Sequence, residues 1–235
     1  MAKRGKIQGF EVRGDLTRPL RIRKYKYLYL IICEDQKTEK VYFQGFEVRI
    51  PKETIYLEAV GTGLDPLGII TRAIEEKQRL ADSLGRSVDV VWVVFDKDDA
   101  DLNASRIARF QGAFDLAEQQ KFKVAYSNEA FELWLLLHLA DVNPDFPLSR
   151  HEIYKMLQTE ITSRIGQEDF VYVHGEDKVL KVVSTIGDEQ AALRRAELLI
   201  AHHTGKSPIE SNPVTYVGKL ILDLYSWIEY FSYEP

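Results

Sequence analysis

The residues best suited to chemistry are carboxylates that directly follow apolar runs. The stretch VVWVVFDKDDAD ends such a run with Asp96, Asp98 and Asp99. A second run, YLYLIIC, is followed at once by Glu34. Neighbouring carboxylates repel each other and resist ionisation unless a cation lies between them. Because Mg²⁺ and Mn²⁺ prefer oxygen ligands, these acids predict a site for a divalent cation, which suits phosphoryl chemistry.

The same kinds of residue also have purely structural interpretations. Asp99 or Asp101 can cap the next helix while the other acids are solvated in a turn. Cys33 and His138 lie in apolar stretches, which is more typical of buried core residues than of a nucleophile or a metal ligand. Since the chain has a single cysteine, an intramolecular disulfide framework and a cysteine-based zinc cluster are excluded.

The elements around the acids predict a sheet that brings them together. Strand patterns alternate with helical patterns, which predicts an α/β, Rossmann-like, doubly wound and mainly parallel sheet flanked by helices. In such sheets functional groups gather at the carboxyl ends of the strands, so Glu34 and Asp96 can converge. The predicted strands are 25–33, 55–61, 87–96 and 122–127, and the predicted helices are the start of 38–50, then 62–85, 104–120 and 128–140.

The predicted helices carry specific expectations. For 62–85, Asp65 can cap the helix and Gly85 can end it. For 128–140, Ser127 or Asn128 can serve as the cap, which places Glu129 and Glu132 on one face of the first turn. The apolar residues expected to face the core are Leu67, Ile70, Ile74 and Leu80 in 62–85, and Val41, Phe43 and Phe46 in 38–50.

Charge and pattern divide the chain into three predicted parts. Residues 1–24 form a basic arm, 25–145 the α/β core, and 146–235 a mainly helical subdomain with helices expected at 150–161, 187–203 and 212–231. Nine of the 31 Lys and Arg residues lie within residues 1–26, although the net charge of the chain is −5. Such an arm attracts a polyanion, or is solvated or paired with the acidic body. Its candidate nucleic-acid contacts are Arg21, Arg23 and Lys24.

Nothing in the pattern points to a membrane. The first residues carry charge without an apolar segment, unlike a signal peptide. No apolar run approaches the roughly 18 residues that span a bilayer. We therefore expect a soluble, cytoplasmic protein, and the sequence leaves a homo-oligomer open.

Four segments in order resemble a known family. A strand-end Glu followed downstream by Asp-x-Asp resembles the Toprim fold of topoisomerases, primases and overcoming-lysogenization-defect nucleases. More closely, IICEDQKTEKVYF, VVFDKDD, AYSNEAFELWLLLH and NPVTYVGKL resemble the RloB-like family across roughly residues 25–220. That family is found in phage-defence and abortive-infection loci, often beside an AAA/ABC-type ATPase. The resemblance implies a Toprim-type, metal-dependent nuclease that cleaves DNA or RNA, including tRNA, with an ATPase partner.

The resemblance also implies roles for individual residues. Glu34 is implied as general acid/base or metal ligand, and Asp96 and Asp98 as Mg²⁺ (or Mn²⁺) ligands. Lys37 is implied as a catalytic residue that contacts phosphate, and Glu132 as a supporting catalytic acid. The sequence departs from the family at residue 35, where Asp replaces the usual Gly and adds a like charge beside Glu34.

Two other function classes stay open. The chain can be a non-catalytic regulatory or binding subunit of an ATPase-containing defence complex, with a vestigial acidic site. It can also be a metal-dependent phosphohydrolase that acts on a small nucleotide. Substitution of Glu34 and Asp96 tests the first alternative, and competition between oligonucleotides and free nucleotides tests the second.

Overall fold

A four-stranded parallel sheet lies at the centre of the fold. The computed structural model describes residues 24–166 and 170–233, so Arg21 and Arg23 of the predicted basic arm lie outside the described residues. Neighbouring strands pair in parallel in the order β2-β1-β3-β4, which confirms the predicted α/β class. The strands are β1 (Tyr27–Cys33), β2 (Ile55–Gly61), β3 (Val90–Asp96) and β4 (Lys123–Ser127).

Helices cover both faces of this sheet. On one face, the side chains of Tyr29 and Trp92 hydrogen-bond to Asp223 of the last helix. On the opposite face, Phe95 packs against Phe110. Because both faces are covered, β1 and β3 are apolar along almost their whole length. The helices are α1 (Thr38–Gln44), α2 (Pro66–Leu84), α3 (Ala104–Gln120), α4 (Glu132–Leu137), α5 (Arg150–Ile165), α6 (Lys178–Ile186), α7 (Glu189–His202) and α8 (Val217–Tyr233).

The strand order reverses between β1 and β3, and this reversal places the site. The chain runs from β1 to β2 on one side and then returns to β3 on the other side of β1. The register pairs Cys33 with Val94, and Glu34 N–H donates to Val94 O at 3.0 Å. Glu34 and Asp96 therefore leave the sheet side by side, at the crevice where open α/β sheets bind ligands.

The ends of α2 confirm the sequence prediction. Asp65 accepts a hydrogen bond from Gly68 N–H at 3.0 Å. Gly85 ends the helix with a φ of +68°, a left-handed conformation that favours glycine. Of the predicted core stripe, Ile70 and Leu80 are buried, whereas Leu67 and Ile74 are only partly buried.

The predicted helix at 128–140 is wrong in its bounds. The helix α4 begins only at Glu132, and its N-cap is Phe131 rather than Ser127 or Asn128. Instead, Ser127 forms an antiparallel bridge with Thr215. Glu129 adopts a left-handed φ of +75°, which interrupts helical geometry. Glu129 therefore lies before the helix and does not share a helical face with Glu132.

The bridge at Thr215 also shifts the last helix. The predicted helix at 212–231 begins at Val217 instead, because residues before it pair with the end of β4. The helix α6 was not predicted. In the 38–50 region, Phe43 and Phe46 are buried as predicted, whereas Val41 is 42% exposed, which is wrong for a core residue.

The C-terminal helices contact the rest of the fold at several points. The helix α4 contacts both α5 and α7, and α8 contacts β4 and α7. Within residues 24–166 and 170–233, no helix combines the length and the apolar character that crossing a bilayer requires.

Candidate active site

Glu34 and Asp96 are joined by a hydrogen bond where the central strands β1 and β3 end, at the carboxyl edge of the sheet. Glu34 Oε2 accepts the backbone N–H of Asp96 at 3.1 Å, across 62 residues of sequence. Asp96 Oδ2 accepts the backbone N–H of Phe131 at 3.0 Å. Asp96 Oδ1 is buried without a hydrogen-bond partner, and a buried polar atom of this kind calls for an explanation in a native structure.

The electrostatics of this edge disfavour negative charge. Burial, together with the charge of Asp98, raises the pKa of Glu34 to about 7 against the lowering effect of the Asp96 N–H. Burial and then the charges of Glu39 and Glu34 raise the pKa of Asp96 well above its usual range. A cation bound here would relieve the repulsion that these carboxylates exert on one another.

Glu39 is a fourth acid at this edge that the sequence prediction missed. It lies in the first turn of α1 and is only 1% exposed. Its Oε2 accepts the backbone N–H of Asp35 at 2.9 Å, and burial raises its pKa well above the usual range. A signal was present in the sequence, because Glu39 lies five residues after Glu34 in the same short acidic stretch.

Asp35, the residue at which the sequence departs from the resemblance described above, takes a structural role. Its two carboxylate oxygens accept the backbone N–H groups of Lys37 at 3.0 Å and Thr38 at 2.6 Å. The loop is also held tightly against β2, since a Cβ on Gly61 would lie 2.4 Å from Gln36 Cα. The added charge is therefore used to begin α1, while Glu34 keeps its place at the strand end.

Asp98 has a different environment from Asp96. It has a φ of +48°, and its carboxylate forms an ion pair with Arg150 at the start of α5. Lys97, between the two aspartates, is buried and pairs with Asp101 at 2.8 Å and Glu129 at 2.9 Å. Lys97 therefore neutralises acids away from Asp96, and Arg150 is the cation paired with Asp98.

Glu132 has partners that the sequence prediction did not find. Tyr172 donates a short hydrogen bond from its hydroxyl to Glu132 Oε1, and His174 Nδ1 lies 3.3 Å from the same oxygen. The hydrogen bond with Glu132 raises the pKa of His174. Tyr154 of α5 packs its ring against His174, with 5.9 Å between the ring centroids. Tyr172 and His174 lie in a region that shows no clear pattern in the sequence, whereas Tyr154 lies in the helix predicted at 150–161.

One cavity of about 460 Å³ brings most of the predicted site together. All five residues predicted as catalytic or metal-binding line it, from both the sheet edge and α4. Arg150 and Tyr154 of α5, together with His174 from the loop before α6, form one wall. The predicted residues that line it are Glu34, Lys37, Asp96, Asp98 and Glu132.

Lys24, the only predicted N-terminal nucleic-acid contact among the described residues, does not line this cavity. Lys24 forms an exposed ion pair with Glu53 at 3.1 Å. Arg21 and Arg23 lie outside the described residues. A second cavity of about 370 Å³ lies on the other side of the acidic edge, where it is also lined by Arg106 and Arg109 of α3.

The residues predicted to be structural behave as such. Cys33 is fully buried, and burial raises the pKa of its thiol well above the usual range, so it is not an activated nucleophile. His138 is buried, and its Nδ1 lies 2.9 Å from Trp134 O. The helix α7 ends at His202, one residue before the predicted end at 203.

The donor chemistry of the edge fits a hard divalent cation. Among the residues described, no group of three or more His, Cys, Asp or Glu side chains is arranged to hold a metal. Mg²⁺ is commonly held by one or two carboxylates with water and substrate phosphate as the other ligands. Glu34 and Asp96, with its unpartnered Oδ1, would supply those carboxylates.

Comparison with known proteins identifies the family of this chain. The family model described as "RloB-like protein" matches residues 29–224. The chain belongs to the RloB-like family. The matched span of this RloB-like protein contains every residue that lines the larger cavity, from Glu34 to Gly175, whereas Lys24 lies before it. No curated protein and no solved structure matches the chain significantly.

Proposed function

We propose that this RloB-like protein is a Mg²⁺-dependent (or Mn²⁺-dependent) nuclease with a Toprim-type site that cleaves phosphodiester bonds of DNA or RNA, including tRNA. One observation carries the proposal. Glu34 and Asp96 are joined by a hydrogen bond at the strand reversal and line one cavity with Lys37 and Arg150. A cleft that contains both unneutralised carboxylates and positively charged side chains is suited to binding a phosphate through a metal ion.

The chain's own residues divide the work of hydrolysis. Glu34, whose carboxylate lines the cavity, would accept a proton from the attacking water and release it again. Lys37 lines the same cavity, where its ammonium can hold a phosphate oxygen. Asp96, with Glu34, would hold the cation, which when bound neutralises the phosphate and stabilises the leaving oxygen.

The proposal extends to the setting in which the protein works. Membership of the RloB-like family supports a cytoplasmic effector of phage defence that acts with an AAA/ABC-type ATPase. In that setting the ATPase would control when the site meets its substrate. Co-expression with and without a neighbouring ATPase gene, followed by phage challenge, tests this part independently of cleavage in vitro.

The first test joins metal binding to cleavage. Mg²⁺ and Mn²⁺ are titrated by calorimetry into wild type and Asp96→Asn, and both proteins are then incubated with plasmid, single-stranded DNA and total tRNA. We expect Asp96→Asn to weaken metal binding and to slow cleavage about 100-fold or more, because the metal stabilises the charge that develops in the reaction.

A matched control makes this test specific. Asp115→Asn places the same substitution on an exposed position of α3 and should leave metal binding and cleavage unchanged. If wild type binds metal and cleaves free nucleotides in preference to any nucleic acid, the protein is a small-nucleotide phosphohydrolase. Wild type that binds no metal and cuts no substrate contradicts the nuclease proposal.

A specific observation favours a second candidate, a non-catalytic regulatory or binding subunit. Asp98, one of the predicted metal ligands, is already paired with Arg150, and Asp35 is bonded to the backbone rather than being a glycine. The two candidates differ in cells that carry the ATPase partner. Glu34→Gln abolishes protection against phage if the chain is a nuclease, and leaves protection intact if the chain only binds.

A further inference from the structure

We propose that His174, oriented by Glu132, is the general acid that protonates the leaving oxygen during cleavage. This inference rests on the proposed nuclease function and assigns the second proton transfer of the reaction. His174 itself is not part of the motifs by which the chain resembles its family, whereas Glu132 is. His174 is a catalytic residue in this scheme, because it contacts the reacting oxygen, and Glu132 is a positioning residue.

Glu132 connects His174 to the carboxyl edge of the sheet, where Asp96 lies. Glu132 is buried at the first position of α4, and the preceding residue, Phe131, donates its backbone N–H to Asp96 at 3.0 Å. The same short segment therefore bonds to Asp96 and to His174, whose Nδ1 is 3.3 Å from Glu132 Oε1. This connection fixes the imidazole on the wall of the cavity that Glu34 and Asp96 also line.

The orientation of the ring suits proton donation. Glu132 contacts Nδ1, so the ring nitrogen on the far side, Nε2, is left to carry the transferable proton. A carboxylate behind an imidazole fixes its tautomer and stabilises its protonated form. The side chain of His174 is 64% exposed, so that form can reach a ligand in the cavity.

The groups around His174 favour its charged form. The hydrogen bond with Glu132 raises the pKa of His174 in spite of partial burial and the nearby Arg150. Tyr172 is the weaker proton donor, because burial and the charge of Glu132 raise the pKa of its hydroxyl far above the ordinary value. The titratable and charged groups that face His174 are Glu132 from α4, Arg150 and Tyr154 from α5, Tyr172 from its own segment, Asp35 after β1 and Asp98 after β3.

The proton balance of the step is complete with two residues. Water attacks phosphorus and its proton passes to Glu34. The bond between phosphorus and the leaving sugar oxygen breaks, and its electron pair stays on that oxygen. The oxygen takes the proton from His174, which yields a hydroxyl-ended strand and a phosphate-ended strand. Glu34 then releases its proton to solvent and His174 takes one up, so neither residue is consumed.

Substrates with sulfur at the leaving position test this role. Wild type and His174→Ala are compared on oligonucleotides with an ordinary linkage and with sulfur replacing the bridging 5′ or 3′ oxygen at the cleaved position. A thiolate leaves without protonation. We expect His174→Ala to lose about 100-fold or more on oxygen and only a few-fold on the sulfur-bridged substrate that places sulfur in the leaving group.

Two variants control for structure. His151→Ala removes an exposed histidine from α5 and should match wild type on all substrates. His174→Gln keeps a polar side chain but cannot donate a proton as imidazolium does, so it should behave like His174→Ala. Equal losses on oxygen and sulfur, or no loss on either, would overturn the general-acid role while leaving the nuclease proposal intact.

A second measurement needs neither metal nor turnover. The imidazole resonances of the five histidines are titrated by NMR in metal-free protein, and His174 is assigned by its absence in His174→Ala. We expect its pKa to lie above the ordinary value of about 6.5 and to fall in Glu132→Gln. A His174 pKa that Glu132→Gln leaves unchanged overturns the pairing on which the proposal depends.

The two proposals fail in different ways. If wild type cleaves no nucleic acid, the nuclease function fails, and the proposed catalytic role of His174 fails with it. The NMR titration still decides whether Glu132 holds the imidazolium. If wild type cleaves but His174→Ala cleaves equally well, only the further inference fails.

Discussion

Asp223 and Asp96 both bring a carboxylate to the pair of strands β1 and β3, and their surroundings are opposite. Asp223 reaches the sheet from α8 and accepts hydrogen bonds from Tyr29 Oη at 2.9 Å and Trp92 Nε1 at 2.8 Å. Lys123 Nζ completes its surroundings at 2.6 Å. Asp96 accepts one backbone N–H, and its buried Oδ1 accepts none.

Asp223 therefore stabilises the fold, whereas the fold places Asp96 where a negative charge is unfavourable. A buried charge costs free energy unless it is paired and hydrogen-bonded. The chain meets that condition fully at Asp223, with two neutral donors and a cation. At the carboxyl edge of β3 it does not, and the raised pKa values of Asp96 and Glu34 record the cost. Local conflict of this kind is expected at functional sites.

The largest effect on stability is expected at Asp223. Asp223→Ala leaves the buried hydroxyl of Tyr29 and the indole N–H of Trp92 without an acceptor. Each unsatisfied buried donor costs about 1–3 kcal/mol, so we expect the free energy of unfolding to fall by about 3 kcal/mol in urea titrations. Lys123 is half exposed and adds little to this loss.

Two control substitutions are not expected to lower the stability of the protein in this way. Asp115→Ala, on the exposed side of α3, should change stability by less than about 0.5 kcal/mol. Asp96→Asn should leave the metal-free protein as stable as wild type or more stable at pH 8, since it removes an unneutralised buried charge. A loss at Asp96→Asn as large as that at Asp223→Ala would break the comparison.

The free energy of unfolding of the metal-free protein is expected to depend on pH through Glu34. The pKa of Glu34 is raised from 4.5 to about 7 on folding, so its contribution to stability is fully present below about 4.5. That contribution is lost as pH rises through 7. We expect unfolding free energies with chelator present to fall by on the order of 2 kcal/mol from pH 5 to pH 8. Glu34→Gln should flatten this slope, and a wild-type slope of the opposite sign contradicts the assignment.

A smaller effect is expected where the loop carrying Glu34 lies on β2. Gly61→Ala places a Cβ 2.4 Å from Gln36 Cα, so the loop must shift. Overpacking of this kind costs about 1–3 kcal/mol, and displacement of Glu34 should also lower metal affinity in calorimetry. Gly112→Ala is the matched control, because a Cβ there meets nothing within 4 Å. In the interior of α3 it should stabilise by roughly 0.5–1 kcal/mol.

The smallest effect is expected at Asp98. The pairing of its carboxylate is intermediate between that of Asp223 and that of Asp96. Its partner Arg150 is 36% exposed and Asp98 itself 43%, so solvent screens the pair and limits its value to about 1 kcal/mol or less. Arg150→Ala frees the carboxylate, and we expect Mg²⁺ affinity to rise about threefold. Unchanged affinity would show that Asp98 is not a ligand, although it lies at the cavity.

The sequence predicted the parts of the site that local rules control. Glu34 and Asp96 are 62 residues apart, yet their meeting follows from two apolar strands that both end in acids. The bounds of α2 followed from Asp65 and Gly85, whose capping chemistry is local. These predictions needed only periodicity and the geometry of parallel sheets.

The remainder depended on contacts that periodicity does not encode. His174 meets Glu132 across 42 residues from a segment without regular structure, so no spacing rule selects it. The bridge between Ser127 and Thr215 overrode the strong helical pattern that begins at Asn128. In both places a pairing made by the tertiary fold decided the outcome.

The position of α8 along the chain has a consequence for how the protein is made. Tyr29 and Asp223 are 194 residues apart, and Tyr27 stacks on Trp227 with 4.1 Å between ring centroids. On a ribosome, the face of β1 that carries Tyr27 and Tyr29 is therefore not covered by α8 until α8 has emerged. The wall that carries Arg150 and His174 is likewise translated after the acids it faces. The cavity is therefore complete only after the segment that carries His174 has been translated.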